Sequence, residues 1–284
     1  MKLKRILEII EEKLPAQSAM EGDRIGLQVQ SRLSEASSIL VALEVDDSTI
    51  DEAISQNCNC IIAFHPLIFH PIKTITENDR TGRLVSRLIQ NSISMIAVHT
   101  TFDAYSLGTS EIIAKRLGLE STGFLVPDPQ IDNRGMGVVA APEKPIAQSE
   151  LLNRAYDVFS APLRYSAYDD DRMIERVAIV GGSGGSFMND ALRSRSDAFI
   201  TADITYHTFH AIKNKIMLID PGHYEMEQFV PEGLAKYLAE DLKREGIEKM
   251  MTSTALTNPV SHYPEAEKYE DLQRNYLLNN KIMV

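Results

Sequence analysis

Cysteine is scarce in this chain: Cys58 and Cys60 are the only two in 284 residues, which excludes a disulfide framework. Two apart, they would share one face of a strand with Asn59 on the other, and they read as small buried residues; a metal or redox role would need further cysteines. Long apolar runs are missing too. The longest are strand-sized, far short of the roughly 18 to 20 residues that a bilayer span requires. No secretion signal is visible at the start, because "MKLKRILEIIEEKLP" mixes acids into an i, i+3, i+4 apolar pattern and reads as an amphipathic helix. These absences predict a cytoplasmic protein. Basic surplus is the third lack: 29 Lys and Arg face 40 Asp and Glu, for a net charge of -11. With no Lys/Arg-rich stripe, binding to nucleic acid phosphates is disfavoured.

What is present is an ordinary globular composition, 44% hydrophobic and 24% charged, with room for two modest domains. Strand-like and helix-like segments alternate. After the first helix come "SSILVALEV", "CIIAF" and "SMIAV" as strands, separated by the helical stretches "DDSTIDEAISQ" and "TGRLVSRLIQ" and followed by the helix "SLGTSEIIAKRLGL". Strands that read as continuous Ile/Val/Ala runs are buried on both faces, so the alternation predicts crossover units and a mostly parallel sheet. The Pro/Asp/Gly-rich stretch "STGFLVPDPQIDNR" is a break between halves. It predicts an N-terminal lobe over 1–125 and a C-terminal lobe over 126–284, the second carrying "GMGVVAA", "LRYSAY", "ERVAIV", "SDAFIT" and "KIMLID" as strands. The fold class is α/β, two lobes with mixed, mostly parallel sheets.

Three histidines follow buried-type strands: His65 after "CIIAF", His99 after "SMIAV", and His223 after "KIMLID" and a Pro-Gly turn. In open α/β sheets the carboxyl ends of the strands form the ligand-binding edge, so these imidazoles can converge on one cleft. Two of them carry an acid four residues on, Asp103 after His99 and Glu227 after His223. On a helical turn each pair would offer a nitrogen and a carboxylate to the same ion, although about one such spacing is expected by chance in this composition. His70, His210 and His262 lack that setting and read as surface or packing residues. His207, on the helix opened by "TADITYH", is a candidate proton shuttle or substrate-binding group, with packing against the sheet as the alternative. The loop "GGSGGS", 181–186, lies between a strand and a helix. It lacks the third glycine of a dinucleotide fingerprint, where Phe187 stands, and the GK[ST] of a P-loop, so it reads as a tight turn more than as a phosphate cradle.

Several ordered motifs resemble the Nif3-like family, also called DUF34 or "GTP cyclohydrolase 1 type 2 homolog" proteins. "GDRIGLQV" resembles the family's D-N-x-G-L-x-V segment, "AFHPLIFHPIKTI" its H-H-P-L-I-F-x-P block, and "VHTTFDA" its H-T-x-x-D block. "GGSGGSF" is similar to its glycine-rich turn, "DAFITADITYHT" to its D-A-x-x-T-G-D-x-x-Y-H block, and "IDPGHYEMEQFV" to its G-H-x-x-x-E block. The length corresponds to the compact form without an inserted domain. The resemblance implies paired α/β lobes, a dinuclear divalent-metal site in the cleft between them, and a ring-shaped homohexamer. It implies His65, Asp103, His223 and Glu227 as ligands, His99 as a ligand or neighbour of the metals, and Glu227 or Asp103 as the bridging carboxylate. Phe64 stands where the family has the first of two consecutive histidines. A phenyl ring has no lone pair to donate, so the expectation is one better-formed site (His65, Asp103, Glu227) and one depleted site around His223. Ala202 and Thr205 depart from the family's usual Gly and Lys at the cleft rim.

The resemblance implies one or two divalent ions per subunit, and a His/carboxylate set suits Zn, Fe, Mn, Co or Ni alike. Two function classes follow. One is a metal-dependent hydrolase of a small nucleotide-like or cyclic substrate, with Glu227 and His207 as its catalytic groups. The other is a non-catalytic metal-binding or regulatory ring-forming protein, toward which Phe64 shifts the weight.

Overall fold

The computed structural model describes residues 1–261, so His262 and the end of the 126–284 segment lie outside the described residues. α1 (Leu3–Lys13) leads to β1 (Gly26–Val29), and β2 (Ser38–Ala42), α2 (Asp47–Ser55), β3 (Cys60–Ala63), α3 (Arg80–Gln90) and β4 (Ser94–Ala97) follow as crossover units. α4 (His99–Asp103) and α5 (Thr109–Arg116) carry the chain to a second sheet, entered by β5 (Glu120–Pro127), β6 (Gly135–Ala141), α6 (Gln148–Phe159), β7 (Arg164–Ser166) and β8 (Val177–Ile179). α7 (Met188–Arg193), β9 (Ala198–Ile200), α8 (Tyr206–Ile212) and β10 (Met217–Asp220) complete it. α9 (His223–Glu227) and α10 (Val230–Arg244) then return the chain to β11 (Lys249–Thr252).

The first sheet has the order β1-β4-β3-β2-β11 and the second β5-β6-β8-β9-β10-β7. In the first, β2, β3, β4 and β11 are parallel and β1 closes one edge antiparallel. In the second, β8, β9 and β10 are parallel while β5, β6 and β7 run antiparallel. The chain thus crosses between sheets twice: the position between residues 125 and 126 falls inside β5, and β11 joins the sheet of the first half, pairing Met250 with Ile39.

Both sheets are covered on both faces, which is why their central strands are apolar apart from Ser38, Ser94 and Asp220 at strand ends. Ile39, Val41, Cys60 and Ile62 pack against α1 and α10 through Ile6, Ile9, Leu234, Leu238 and Leu242. Leu40, Ala42, Ile61 and Ala63 point the other way, onto Ile50, Leu84, Val85 and Leu88 of α2 and α3. The two cysteines are free and buried but occupy different cores, because β3 begins only at Cys60 and Cys58 precedes the period-2 alternation. In the second sheet Val138, Ala140, Ile179 and Ile200 face α5 and α6, and Val139, Ala178, Phe199 and Leu218 face α7 and α8. Asp46 caps α2 by accepting from the Thr49 amide at 2.8 Å, as its acidic start predicts. Among the described residues no helix is long and apolar enough to cross a membrane.

Candidate functional site

The parallel ladder of the first sheet runs past its named strands. The amide of His65 donates to Leu43 O at 2.9 Å and that of His99 to Phe64 O at 2.9 Å, so the two imidazoles arrive side by side at the carboxyl edge with ring centroids 5.5 Å apart. Pro66 disfavours a helical backbone at His65, so the chain does not start a helix directly after β3. From the second sheet, β10 ends at Asp220, Gly222 turns the chain at φ +104, and α9 begins at His223. The His223 ring lies 5.6 Å from that of His65, between centroids.

Glu227, 4% exposed, is where these groups meet. Its Oε2 is 3.0 Å from His65 Nε2 and 3.0 Å from His223 Nε2, yet it has no hydrogen-bond partner among the described residues. The contacts are close without hydrogen-bond geometry, as expected of donors aimed at a shared point and not at one another. Ligand atoms of His65, His223 and Glu227 all lie within 4.8 Å of one another. The far nitrogen of each ring faces a carboxylate. His223 Nδ1 is 2.6 Å from Asp203 Oδ2, His65 Nδ1 is 2.9 Å from Glu44 Oε1, and His99 Nδ1 is 2.6 Å from Asp23 Oδ1. Asp23 is fixed in turn by the amide and hydroxyl of Thr100. The Asp203 and Asp23 contacts are hydrogen bonds, whereas His65 Nδ1 has no hydrogen-bond partner among the described residues; a carboxylate hydrogen-bonded behind an imidazole fixes its tautomer and orientation and strengthens the opposite nitrogen as a metal ligand.

The charges are strongly coupled. Burial acts to lower the His65 pKa, but the carboxylates of Glu227 and Glu44 outweigh it and raise it to about 10. Glu227 does the same for His223, against burial and aided by Asp203, lifting it to about 9. Burial would raise Glu227, but His223 and His65 hold it down at about 2. Asp103 is pushed up to about 7 by burial and by the charge of Glu227. The glycine-rich loop forms one wall. At Gly182, φ +61, a Cβ would overlap Glu227 Oε1 and lie 3.3 Å from His223 Nε2. The Gly182 carbonyl accepts from the Ala202 amide and the Thr201 hydroxyl, which pins the loop against β9. The loop is a turn that leaves room for a carboxylate, and the helix after it, α7, is too short to act as a phosphate site.

The two i, i+4 pairs behave differently. His223 and Glu227 meet across α9, whereas His99 turns to Asp23 and Asp103 accepts from the Thr109 hydroxyl. Asp103 and His99 lie outside the mutually close donor set. The grouping therefore differs from the expected partition: His65 and His223 share one carboxylate oxygen instead of dividing between two sites. Phe64 is fully buried, its ring centroid 5.0 Å from that of His65 and 5.5 Å from that of His99. His207 is exposed on α8 beside Tyr206 and does not line the cavity next to the donor set. His70 and His210 are exposed. Thr205 caps α8 and Ala202 is buried in the core. Asp23, Glu44, Asp203 and Gly182 were not singled out from sequence, although Asp23, Asp203 and Gly182 lie in the quoted segments "GDRIGLQV", "TADITYH" and "GGSGGSF". His99 and Asp203 both have positive φ, +33 and +60, a conformation that non-glycine residues hold only where their surroundings enforce it.

A cavity of about 970 Å³ opens on His65, His99 and His223. The first lobe contributes Leu43, Glu44, Asp46 and Arg80, and the second Pro162, Arg164, Asp203 and Asp220.

A Lactococcus lactis protein named "GTP cyclohydrolase 1 type 2 homolog" is 34% identical over 263 residues, covering 91% of this chain and 98% of its own. A Streptococcus pneumoniae protein of the same name is 33% identical over 263 residues, with 90% and 98% covered. The crystal structure of a Staphylococcus aureus hypothetical protein superposes with a TM-score of 0.84 at 26% identity, over 92% of this chain and 99% of that one. A family model described as Duf34/NIF3 (NGG1p interacting factor 3) matches residues 1–259, and the chain belongs to that family.

Proposed function

We propose that this protein binds a divalent cation through His65, His223 and Glu227 and acts as a hydrolase on a small nucleotide-like or cyclic substrate. The observation that carries this is the buried Glu227 Oε2, 3.0 Å from two imidazole nitrogens and without a hydrogen-bond partner among the described residues. Two imidazoles and a carboxylate fit Zn, Fe, Mn, Co or Ni. A cation held there would polarise a substrate oxygen as a Lewis acid. The rest falls to the chain's own groups. Asp203 holds the His223 ring with Nε2 toward Glu227, Glu44 lies 2.9 Å from His65 Nδ1 without hydrogen-bond geometry, Gly182 leaves the space that the Glu227 carboxylate needs, and the cavity admits a substrate from the side of both lobes. The relatives' name, "GTP cyclohydrolase 1 type 2 homolog", supports a nucleotide-like substrate.

A second reading, a metal-binding protein that assembles into a ring without catalysing anything, is favoured by Phe64. That ring fills core space beside His65 and His99 and offers no lone pair, so a second cation has fewer ligands. Elemental analysis of the purified protein decides the metal part: about one ion per subunit is expected in the wild type and a higher content in Phe64→His, and a wild type free of metal would refute it. A hydrolase screen with added Mn, Co or Zn separates the readings. Turnover abolished by Glu227→Ala supports the enzyme; a blank screen, even for Phe64→His, supports the binding protein.

A further inference from the structure

The cavity over the donor set has a third wall that belongs to neither sheet. Beyond β11 the chain is tied to the first lobe by Glu52 of α2, which accepts from the Ser253 hydroxyl, from the Thr254 amide at 2.9 Å and from the Thr254 hydroxyl at 2.7 Å. It then crosses to the second lobe, where Asn258 Nδ2 donates to Glu225 Oε1 of α9 at 2.9 Å. Leu256, Thr257, Asn258, Pro259 and Val260 line the same cavity as His65, His99 and His223. Leu256 is 81% exposed and Val260 58%, and Phe69, on the loop after β3, lines the cavity at 47%. Apolar side chains on a tethered strap and an apolar ring lining the same cavity remain hydrated until something covers them, and covering them is favourable. An inorganic ion or a bare phosphate would leave them wet.

We infer that the strap from Ser253 to Val260 is the specificity-determining wall of the site, and that the ligand is a small organic molecule. Its oxygen-donor head reaches the donor set, and its apolar body is seated against the exposed side chains of Phe69, Leu256 and Val260 that line the same cavity. The head depends on the metal-centre reading given above, whereas the seat for the body does not. A volume of about 970 Å³ falls at the top of the roughly 300–1,000 Å³ range of small-molecule sites, and the apolar groups share one cavity with the donor set.

Two measurements on the full chain test this separately from the metal reading. In zinc-loaded protein, calorimetry compares acetohydroxamate with benzohydroxamate, which share a metal-binding head and differ in the ring. Benzohydroxamate should bind roughly tenfold more tightly, and the ratio should fall to near one in a Leu256→Ser, Val260→Ser double variant. Equal affinities in the wild type would overturn the inference while leaving the metal centre intact. In metal-free protein, 8-anilinonaphthalene-1-sulfonate should gain emission with the wild type and lose that gain with the double variant. Identical emission from the two overturns the inference whether or not the chain holds metal. Both replaced side chains are exposed, so the variant should fold. If instead it dissociates an assembly in sedimentation, the strap belongs to a subunit interface and the inference falls.

Discussion

At Gly182 the backbone is left-handed and a Cβ would overlap a Glu227 oxygen, so Gly182→Ala strains the chain and displaces the carboxylate together. The expected outcome is a loss of about 1–3 kcal/mol in urea unfolding, with metal content falling below that of the wild type. Asp203→Ala acts differently. It removes the group behind His223 Nδ1 without touching the donor atoms, and metal affinity measured by competition with a chelator should drop about 10- to 100-fold, while the unfolding midpoint falls only by the strain of Ala at φ +60, less than for Gly182→Ala, which also displaces Glu227. At this scale the sequence was partly legible. Histidines directly after buried strands were readable as a convergent set because strand ends share an edge, and His223 with Glu227 was readable because a single helical turn joins them. His99 and Asp103 have the same spacing and do not pair: His99 sits at φ +33 with its ring on Asp23, and Asp103 is taken by Thr109. The carboxylates behind the rings lie 20 to 76 residues from those rings, and no local pattern announces such a pairing.

The strands that were readable lie mostly inside the sheets, and those that escaped notice, β1, β5 and β11, are edges. An edge strand is covered incompletely, so its residues need not be apolar at every position; in β5 only Leu125 is buried, and in β1 only Val29. β5 in particular is written in the "STGFLVP" of a stretch whose Gly and Pro signal a break. Where β11 ends, Glu52 holds the following strap, and burial, which would raise its pKa, is outweighed by the bonds from Ser253 and Thr254, which lower it below the model-peptide value of 4.5. A depressed carboxylate pKa stabilises the fold above the unfolded value, and that contribution is lost as pH falls through the folded one. The amides of Thr254 and Ala255 should therefore exchange faster with solvent below about pH 4 than expected from the intrinsic pH dependence, and Glu52→Gln should show the faster exchange already at neutral pH. No change in either would mean that Glu52 does not anchor the strap.

At the scale of the molecule, the return of α10 and β11 to the first sheet ties the two lobes together by more than one crossing. Leu238, fully buried between α1 and the sheet, is part of that tie, and Leu238→Ala should cost about 2–5 kcal/mol in chemical denaturation. The loop after β3 leaves Ile72 and Ile75 exposed, outside any core of the monomer. A homohexamer is proposed for this family member, and sedimentation equilibrium should give about six times the chain mass of 31.7 kDa. A mass equal to one chain would refute the ring.

Composition and local pattern determined that this chain is α/β, which segments form its buried strands, and that imidazoles stand at the strand ends, because burial on two faces and the crossover geometry are written in runs of neighbouring residues. Which acid backs which histidine, that His65 and His223 converge on one oxygen of Glu227, and that a strap from the last strand walls the cavity were decided by the tertiary structure. Those contacts join residues far apart in the chain, and their positions follow from how two sheets pack against shared helices and not from any periodicity that a linear reading can detect.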